Sequence, residues 1–192
     1  GVAISSHQNE GGAPASDWTA AERAGRMPVP SNLGADFRKH WKEDLDRIKH
    51  ELGGNAIRLS LEWARVEPEP GRIDLDELKW IETLLEGARD LGLQVIATLH
   101  HFTSPQWLFA GGKPNGWEAS ESAPAYARYA RLMAKEFAPA VKYWITFNEP
   151  SNVVGGGYLT GKTPPFRIGP MSFIRAARTI NDAHERAYEA IH

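Results

Sequence analysis

Cysteine is absent from the sequence of 192 residues. The chain therefore has no disulfide framework, no thiolate zinc site and no cysteine nucleophile. Long apolar runs are missing as well, and none approaches the roughly 20 residues of a membrane-spanning helix. A membrane is not expected as a partner.

Excess positive charge is also lacking, because the formal net charge is −2 and the isoelectric point is near 6.4. Proteins that bind nucleic acid typically carry a basic patch, so nucleic acid is not expected as a partner. The first residues lack the basic flank and apolar segment of a signal peptide. The chain does not begin with Met, so the location stays undetermined, with the cytoplasm favoured.

The sequence does contain four apolar segments, each followed by a helical pattern. Strands are predicted at residues 1–6, 56–61, 93–99 and 143–147, and helices at residues 36–52, 74–91, from about 124, and from about 172 to the end. This alternation predicts an α/β fold with a parallel sheet and right-handed crossovers. The length suits one sizeable core, and we expect no internal domain boundary.

Two α/β architectures, a doubly wound sheet and a barrel, satisfy that order. No G-x-G-x-x-G or G-K-[ST] fingerprint follows any strand, which disfavours the nucleotide-binding doubly wound sheet. Polar side chains instead fall at the strand ends, the pattern of a barrel mouth: Gln8, Glu62, His101 and Glu149. A closed barrel of this type needs eight units. The sequence therefore predicts a half-barrel, the first four β/α units of a TIM (β/α)8 barrel.

The fourth strand segment ends in Asn148, Glu149 and Pro150. In a barrel this carboxylate would lie at the face where the chemistry takes place. The alternative is a simple turn with Glu149 in solvent, since Asn and Pro are common turn residues.

Four segments in order resemble family 1 of the glycoside hydrolases, the β-glucosidase and β-galactosidase group. The resemblance covers nearly the whole chain, and its most specific part is the fourth segment. The segments are residues 5–11 (Ser-Ser-His-Gln-Asn-Glu-Gly), 58–68 (Arg-Leu-Ser-Leu-Glu-Trp-Ala-Arg-Val-Glu-Pro), 99–105 (Leu-His-His-Phe-Thr-Ser-Pro) and 144–150 (Trp-Ile-Thr-Phe-Asn-Glu-Pro).

The resemblance implies a retaining β-glycosidase that hydrolyses β-linked glycosides with two carboxyl groups. It makes Glu149 the general acid/base and Asn148 the amide that binds the sugar 2-hydroxyl. Gln8 and His101 are implied to bind the glycone, and Arg58 to support the ionised nucleophile. No cofactor and no metal is implied.

Each of these residues also has a structural interpretation. Arg58 could be the partner in a structural ion pair, because buried charges are nearly always paired. Gln8 could be a hydrogen-bonding loop residue. His100 and His101 could suggest a metal, but adjacent strand residues point to opposite faces and no third ligand stands at suitable spacing.

The sequence also departs from the family pattern. The third segment usually has Trp where Phe102 stands and an acidic residue at Thr103, so we expect an altered sugar wall that keeps an apolar platform. Trp63 and Trp117, at a strand end and in a loop, are candidates for the cleft. No Ile-Thr-Glu-Asn-Gly-like stretch is present, so the resemblance implies that this chain lacks the nucleophile.

Three functional hypotheses follow. The chain could be the N-terminal half of a retaining β-glycosidase that needs the C-terminal half-barrel. It could instead be a non-catalytic, sugar-binding or self-associating half-barrel, because an open sheet exposes two edges and an apolar face. A different family of barrel glycosidases could share the Asn-Glu ending, but the contexts of Gln8 and Arg58 argue against it. The sugar and the aglycone stay undetermined.

Overall fold

The computed structural model describes residues 1–31 and 34–192, in which α-helices alternate with the strands of a parallel sheet. The strands are β1 Val2–Ala3, β2 Ala56–Ser60, β3 Gln94–His100 and β4 Tyr143–Phe147. The helices are α1 Asp17–Arg23, α2 Phe37–Asp46, α3 Trp63–Val66, α4 Leu75–Asp90, α5 Ser122–Phe137, α6 Pro150–Val154 and α7 Pro170–Ile191. No helix in these ranges is long and apolar enough to cross a membrane.

The sheet runs in the order β1-β2-β3-β4, with every neighbouring pair parallel. A doubly wound sheet reverses its order at a switch point, whereas a barrel adds each new strand to the same edge. The strictly sequential order is therefore that of four barrel units, as the sequence predicted. It also brings the carboxyl ends of all four strands to one end of the sheet.

One face of the sheet is covered by the helices along its whole length, and the other face is partly open. The residues that point toward the helices are almost completely buried: Ile57, Leu59, Val95, Ala97 and Leu99. On the other face, Arg58 and Ile96 are only half-buried and Tyr143 is 56% exposed. In a closed barrel this second face would point to the interior, so the structure has the burial pattern of a barrel that is half present.

Helix α4 shows how local sequence signals position an element. The Asp74 carboxylate accepts a hydrogen bond from the Glu77 backbone N–H at 3.0 Å and so caps the first turn of the helix. The Glu77 side chain does not complete a capping box, because both of its oxygens accept from Arg38 at 2.8 Å. This bidentate pair ties α4 to α2 instead.

The first unit differs most from the prediction. The strand predicted at residues 1–6 is only Val2–Ala3, and Ser6–Glu10 forms a helical turn. The glycine and proline content of residues 11–17 predicts a loop, which the structure has over residues 11–16. Helix α1 was not predicted; it begins at Asp17, where the Ser16 hydroxyl accepts a hydrogen bond from the Thr19 N–H. The helix predicted at residues 36–52 is present as α2 and a further turn, Arg47–Glu51.

The suggestion that Trp63 and Trp117 line a cleft is wrong, because both side chains are 1% exposed. Each indole N–H has an internal acceptor: Trp63 donates to the Glu67 carboxylate at 2.7 Å and Trp117 to the Ser104 hydroxyl at 3.0 Å. Trp63 also stacks on Tyr129, with the ring centroids 5.5 Å apart. Internal hydrogen bonds satisfy the polar atom of each ring, so both rings can join the core.

Two leucines of α4 provide a matched test of this core. Leu85 is 1% exposed, whereas Leu75, at the start of the same helix, is 73% exposed. We expect Leu85→Ala to lower the free energy of unfolding by about 2–5 kcal/mol, because it removes buried methyl groups and leaves a cavity. Leu75→Ala should change it by less than about 0.5 kcal/mol. Urea unfolding followed by circular dichroism measures both, and equal effects would contradict the assigned packing.

Candidate active site

The carboxyl ends of β2, β3 and β4 meet around the guanidinium of Arg58. Its Nε donates to the Thr98 hydroxyl at 2.8 Å, and its Nη2 donates to the Asn148 side-chain oxygen at 2.6 Å. Thr98 lies on the neighbouring strand, and Asn148 directly follows the next one along the sheet. Parallel pairing therefore brings together residues that are 90 positions apart in the chain.

Arg58 is not part of an ion pair within the described residues, since its recorded partners are a hydroxyl and an amide. The structural ion pair considered from the sequence is thus not found in this part of the chain. Nη1 makes no hydrogen bond within residues 1–31 and 34–192. The half-buried cation therefore keeps one donor nitrogen for a further acceptor.

His101 lies next to this guanidinium and is oriented by β2. Its Nδ1 is 2.7 Å from the Ser60 hydroxyl. Burial and, to a smaller extent, the Arg58 charge lower the pKa of His101 to about 4, although the Glu149 charge acts in the opposite direction. The ring is therefore neutral at neutral pH, and it can both donate and accept hydrogen bonds.

His100 points away from His101, as expected for adjacent strand residues. It is 1% exposed, its Nε2 is 3.0 Å from the Ser104 hydroxyl, and its ring packs against Trp117 and Phe147. The two imidazoles therefore do not converge on one ion. The described residues contain no group of three His, Asp or Glu side chains that could hold a metal.

Glu149 is exposed at the end of β4, where it is the N-cap residue of α6. Its backbone adopts a left-handed conformation, with φ of 46°. The Asn152 amide, one helical turn further on, donates to its Oε2. The carboxylate therefore stands at the open end of the sheet, held from one side by α6.

Gln8 lies near the other predicted site residues but is not hydrogen-bonded to them. Its Oε1 accepts from the Ser5 hydroxyl at 2.6 Å, and the described structure records no hydrogen bond from it to the other four predicted site residues. Gln8 lines a cavity of about 460 Å³, together with Phe102, Asn152 and other residues. The structure thus brings Arg58, His101, Asn148 and Glu149 together, and it places Gln8 on the wall of the adjoining cavity.

An ion pair that the sequence reasoning missed fixes the loop of Gln8. The Arg65 Nη2 donates to the carbonyl oxygens of Gly11 and Gly12 at 2.5 and 2.6 Å, and its Nε is 3.2 Å from the Glu10 carboxylate. Glu10 is only 3% exposed, and burial raises its pKa to about 7 although Arg65 opposes this. The clamp joins the first loop to α3, and no local pattern in the sequence indicates it.

Ser60 and Asn152 are two further residues that the sequence reasoning missed. For each of them, the spacing from a predicted site residue could have indicated a place in the site. Ser60 stands two positions after Arg58 on a strand, so it lies on the same face. Asn152 stands three positions after Glu149, where a helix brings side chains together.

One expectation about the mouth of the sheet needs correction, and it concerns Glu62. Thr103, which stands where the family usually has an acidic residue, is 3% exposed and donates to the Glu62 carboxylate at 2.7 Å. Glu62 is itself 5% exposed and accepts from the Ala64 N–H. It caps α3 and is buried, rather than standing in the open mouth as the strand-end pattern suggested. Phe102 does line the cavity beside Gln8, where an apolar platform was expected.

Comparison with known proteins assigns this arrangement to a family. The model of Glycosyl hydrolase family 1 matches residues 1–192. This chain belongs to glycosyl hydrolase family 1. Among its relatives, Beta-glucosidase 25 of Oryza sativa subsp. japonica is 33% identical over 91% of this chain and 36% of the relative. Beta-glucosidase A of Thermotoga maritima is 33% identical over 97% of this chain and 43% of the relative.

Solved structures agree with the fold of this family 1 chain. The β-glycosidase from Pyrococcus horikoshii superposes with a TM-score of 0.91 at 34% identity, and covers 100% of this chain. The family 1 β-glucosidase from Thermotoga maritima superposes with a TM-score of 0.89 at 32% identity. The chain covers 44% of each of these structures. The family 1 chain thus spans less than half the length of these relatives, which is consistent with an N-terminal half-barrel.

The neutral state of His101 gives a direct test of the site geometry. We expect its imidazole to titrate with a midpoint near 4, well below the ordinary value of 6.5, because it is half-buried beside Arg58. Arg58→Gln should raise this midpoint toward 6.5, since it removes the neighbouring positive charge. Arg47→Gln, at an exposed position, is the control. NMR of the ring protons measures all three, and a wild-type midpoint at 6.5 would contradict the arrangement.

Proposed function

We propose that this chain supplies the acid/base half of a retaining β-glycosidase site with β-glucosidase-like activity on β-linked glycosides. The observation that carries the proposal is the position of Glu149, an exposed carboxylate at the end of β4 beside an amide that Arg58 holds. Family membership and the β-glucosidases among the relatives support the same reaction class.

In the proposed mechanism, Glu149 acts first as an acid. Its carboxyl group protonates the glycosidic oxygen as the leaving group departs, and its carboxylate later takes a proton from the attacking water. Exposure of the carboxylate at the sheet end gives the substrate access to it. Asn152 holds one carboxylate oxygen, so the other is free to face the leaving group.

The orientation of Asn148 suits a sugar hydroxyl. Its side-chain oxygen accepts from Arg58, so its NH₂ group is left to donate to a ligand. Such a bond to the 2-hydroxyl would strengthen in the transition state. His101, neutral and fixed by Ser60, and Gln8, on the cavity wall, are proposed to bind the other glycone hydroxyls.

The nucleophile is proposed to come from outside this chain. Retaining glycosidases place their two carboxyl groups about 5–5.5 Å apart across the scissile bond. Arg58 has one donor nitrogen without a partner among the described residues, and this nitrogen would face the incoming carboxylate. A C-terminal half-barrel would supply that group and cover the exposed face of the sheet.

Self-association is the second candidate, and the exposed Tyr143 on the edge strand β4 favours it. An exposed strand edge pairs readily with another strand. Two copies could close a barrel of eight strands, but a second β3 would then stand where the seventh strand belongs. It would bring His101 instead of a carboxylate, and such a dimer would bind sugars without retaining catalysis.

Complementation separates these candidates. We expect no turnover of para-nitrophenyl β-glucoside by the isolated chain, because one of the two carboxyl groups is missing. Activity should appear when the C-terminal half of a family 1 barrel is fused to residue 192. Absorbance measures the release of para-nitrophenol, and sedimentation gives the mass of the isolated chain. Robust turnover by the isolated monomer would contradict the proposal, and a stable monomer at high concentration would exclude self-association.

The role of Glu149 is tested in the same fusion. Glu149→Gln should abolish turnover of glucosides with poor leaving groups, because these need protonation by the acid. Azide should partly restore turnover of the para-nitrophenyl glucoside, because azide can replace water as the attacking nucleophile and needs no general base to activate it. Glu136→Gln, an exposed carboxylate on α5, is the matched control. Unchanged kinetics in Glu149→Gln would overturn the acid/base assignment.

A further inference from the structure

A second cavity, larger than the one beside Gln8, lies outside the candidate active site. Its volume is about 970 Å³, and α1, the loop after β3 and the segment before α7 surround it. This volume is at the upper end of the range for small-molecule sites. The side chains that determine its chemistry are the cations Arg26, Lys113, Arg167 and Arg175 and the aromatic rings Phe109 and Phe166.

The wall carries an excess of positive charge. Its four cations face two carboxylates, Asp17 and Glu118. Glu118 pairs with Arg167 and lies 3.6 Å from Arg175, so one carboxylate serves two guanidiniums. Burial raises the pKa of Asp17 to about 7, which reduces its negative charge at neutral pH.

Arg26 and Lys113 are the two cations still available to a ligand. Neither forms an ion pair with a carboxylate in residues 1–31 or 34–192. Both side chains are exposed. An anion entering the cavity would therefore meet two charges that no internal partner neutralises. This excess stands out because the whole chain has a net charge of −2.

The aromatic rings give the site a flat apolar part. The Arg26 guanidinium lies over the Phe166 ring, with its carbon 3.7 Å from the ring centroid. Stacking uses the face of a guanidinium and leaves its N–H edge free to bind a carboxylate. Phe109 packs directly against Gly116, where any side chain would collide with the ring. The backbone at Gly116 thus bounds this second ring on one side.

We propose that this cavity binds an aromatic carboxylate, with the carboxylate at Arg26 and Lys113 and the ring against Phe166 and Phe109. The inference rests on the charge and shape of the cavity, and only the leaving-group source of the ligand rests on the proposed glycosidase activity. Pro164 lines both this cavity and the one beside Gln8. The ligand is therefore either a free acid or the leaving group of a glycoside that extends past Pro164.

Calorimetry on the complete chain of 192 residues tests the proposal, with para-hydroxycinnamate as the probe. We expect saturable binding that weakens as salt is added, because the cations are near the surface. Arg26→Gln and Lys113→Gln should each weaken it about fivefold, the factor of an exposed ion pair at the top of its usual range. Arg89→Gln, an exposed cation on α4 away from the cavity, is the matched control. Circular dichroism verifies that the variants stay folded.

The neutral para-hydroxycinnamamide should bind much more weakly than the acid. Equal binding of the amide, equal binding of inorganic phosphate at the same residues, or unchanged affinity in both variants would overturn the proposal. The β-glucoside of para-hydroxycinnamate separates the two sources of ligand. Tighter binding of the glucoside supports a leaving group, and tighter binding of the free acid supports an independent ligand. Because the readout is binding, a failure of the glycosidase proposal would leave this result intact.

Discussion

The parallel register of β2, β3 and β4 is the constraint on which the rest of the site depends. It aligns the carboxyl ends of three strands, so that Arg58 reaches Thr98 on one neighbour and Asn148 beyond the next. These two hydrogen bonds fix the guanidinium, and its charge helps to keep His101 neutral. A one-residue slip of β4 would turn its side chains to the opposite face and separate this group.

The helices cover one face of the sheet, and the opposite face is partly open to solvent. Ile57, Leu59 and Ala97 are buried beneath the helices, whereas Tyr143 is open to solvent on the opposite face. This asymmetry links the energetics to the proposed function. The surface that would gain most from apolar cover is also the surface across which Arg58 would meet a second carboxylate.

The two cavities differ in the charges of the side chains that line them. Beside Gln8, the lining carries one cation, Lys162, and its other polar side chains are uncharged amides and hydroxyls, which suit sugar hydroxyls. Beyond Pro164, Arg26 and Lys113 leave a local excess of positive charge next to two aromatic rings. Under the two proposals, one of these neighbouring surfaces takes a neutral, polar ligand and the other takes a flat anion.

Much of the fold could be predicted from the sequence, because strand and helix periodicity, the Asp74 cap and the missing phosphate loop are local signals. The resemblance of the four ordered segments to family 1 likewise pointed to Glu149, Asn148, Arg58, His101 and Gln8, because each of these residues lies in one of those segments. Burial could not be predicted in the same way. Trp63, Trp117, Glu62 and Thr103 stand at strand ends or in loops in the sequence, but the structure buries all four. Thr103 and Glu62 pair across 41 positions, and Trp63 stacks on Tyr129, so only the tertiary structure decides their burial. The Glu10–Arg65 clamp and the cationic cavity depend on the same long-range packing, so neither leaves a periodic pattern in the sequence.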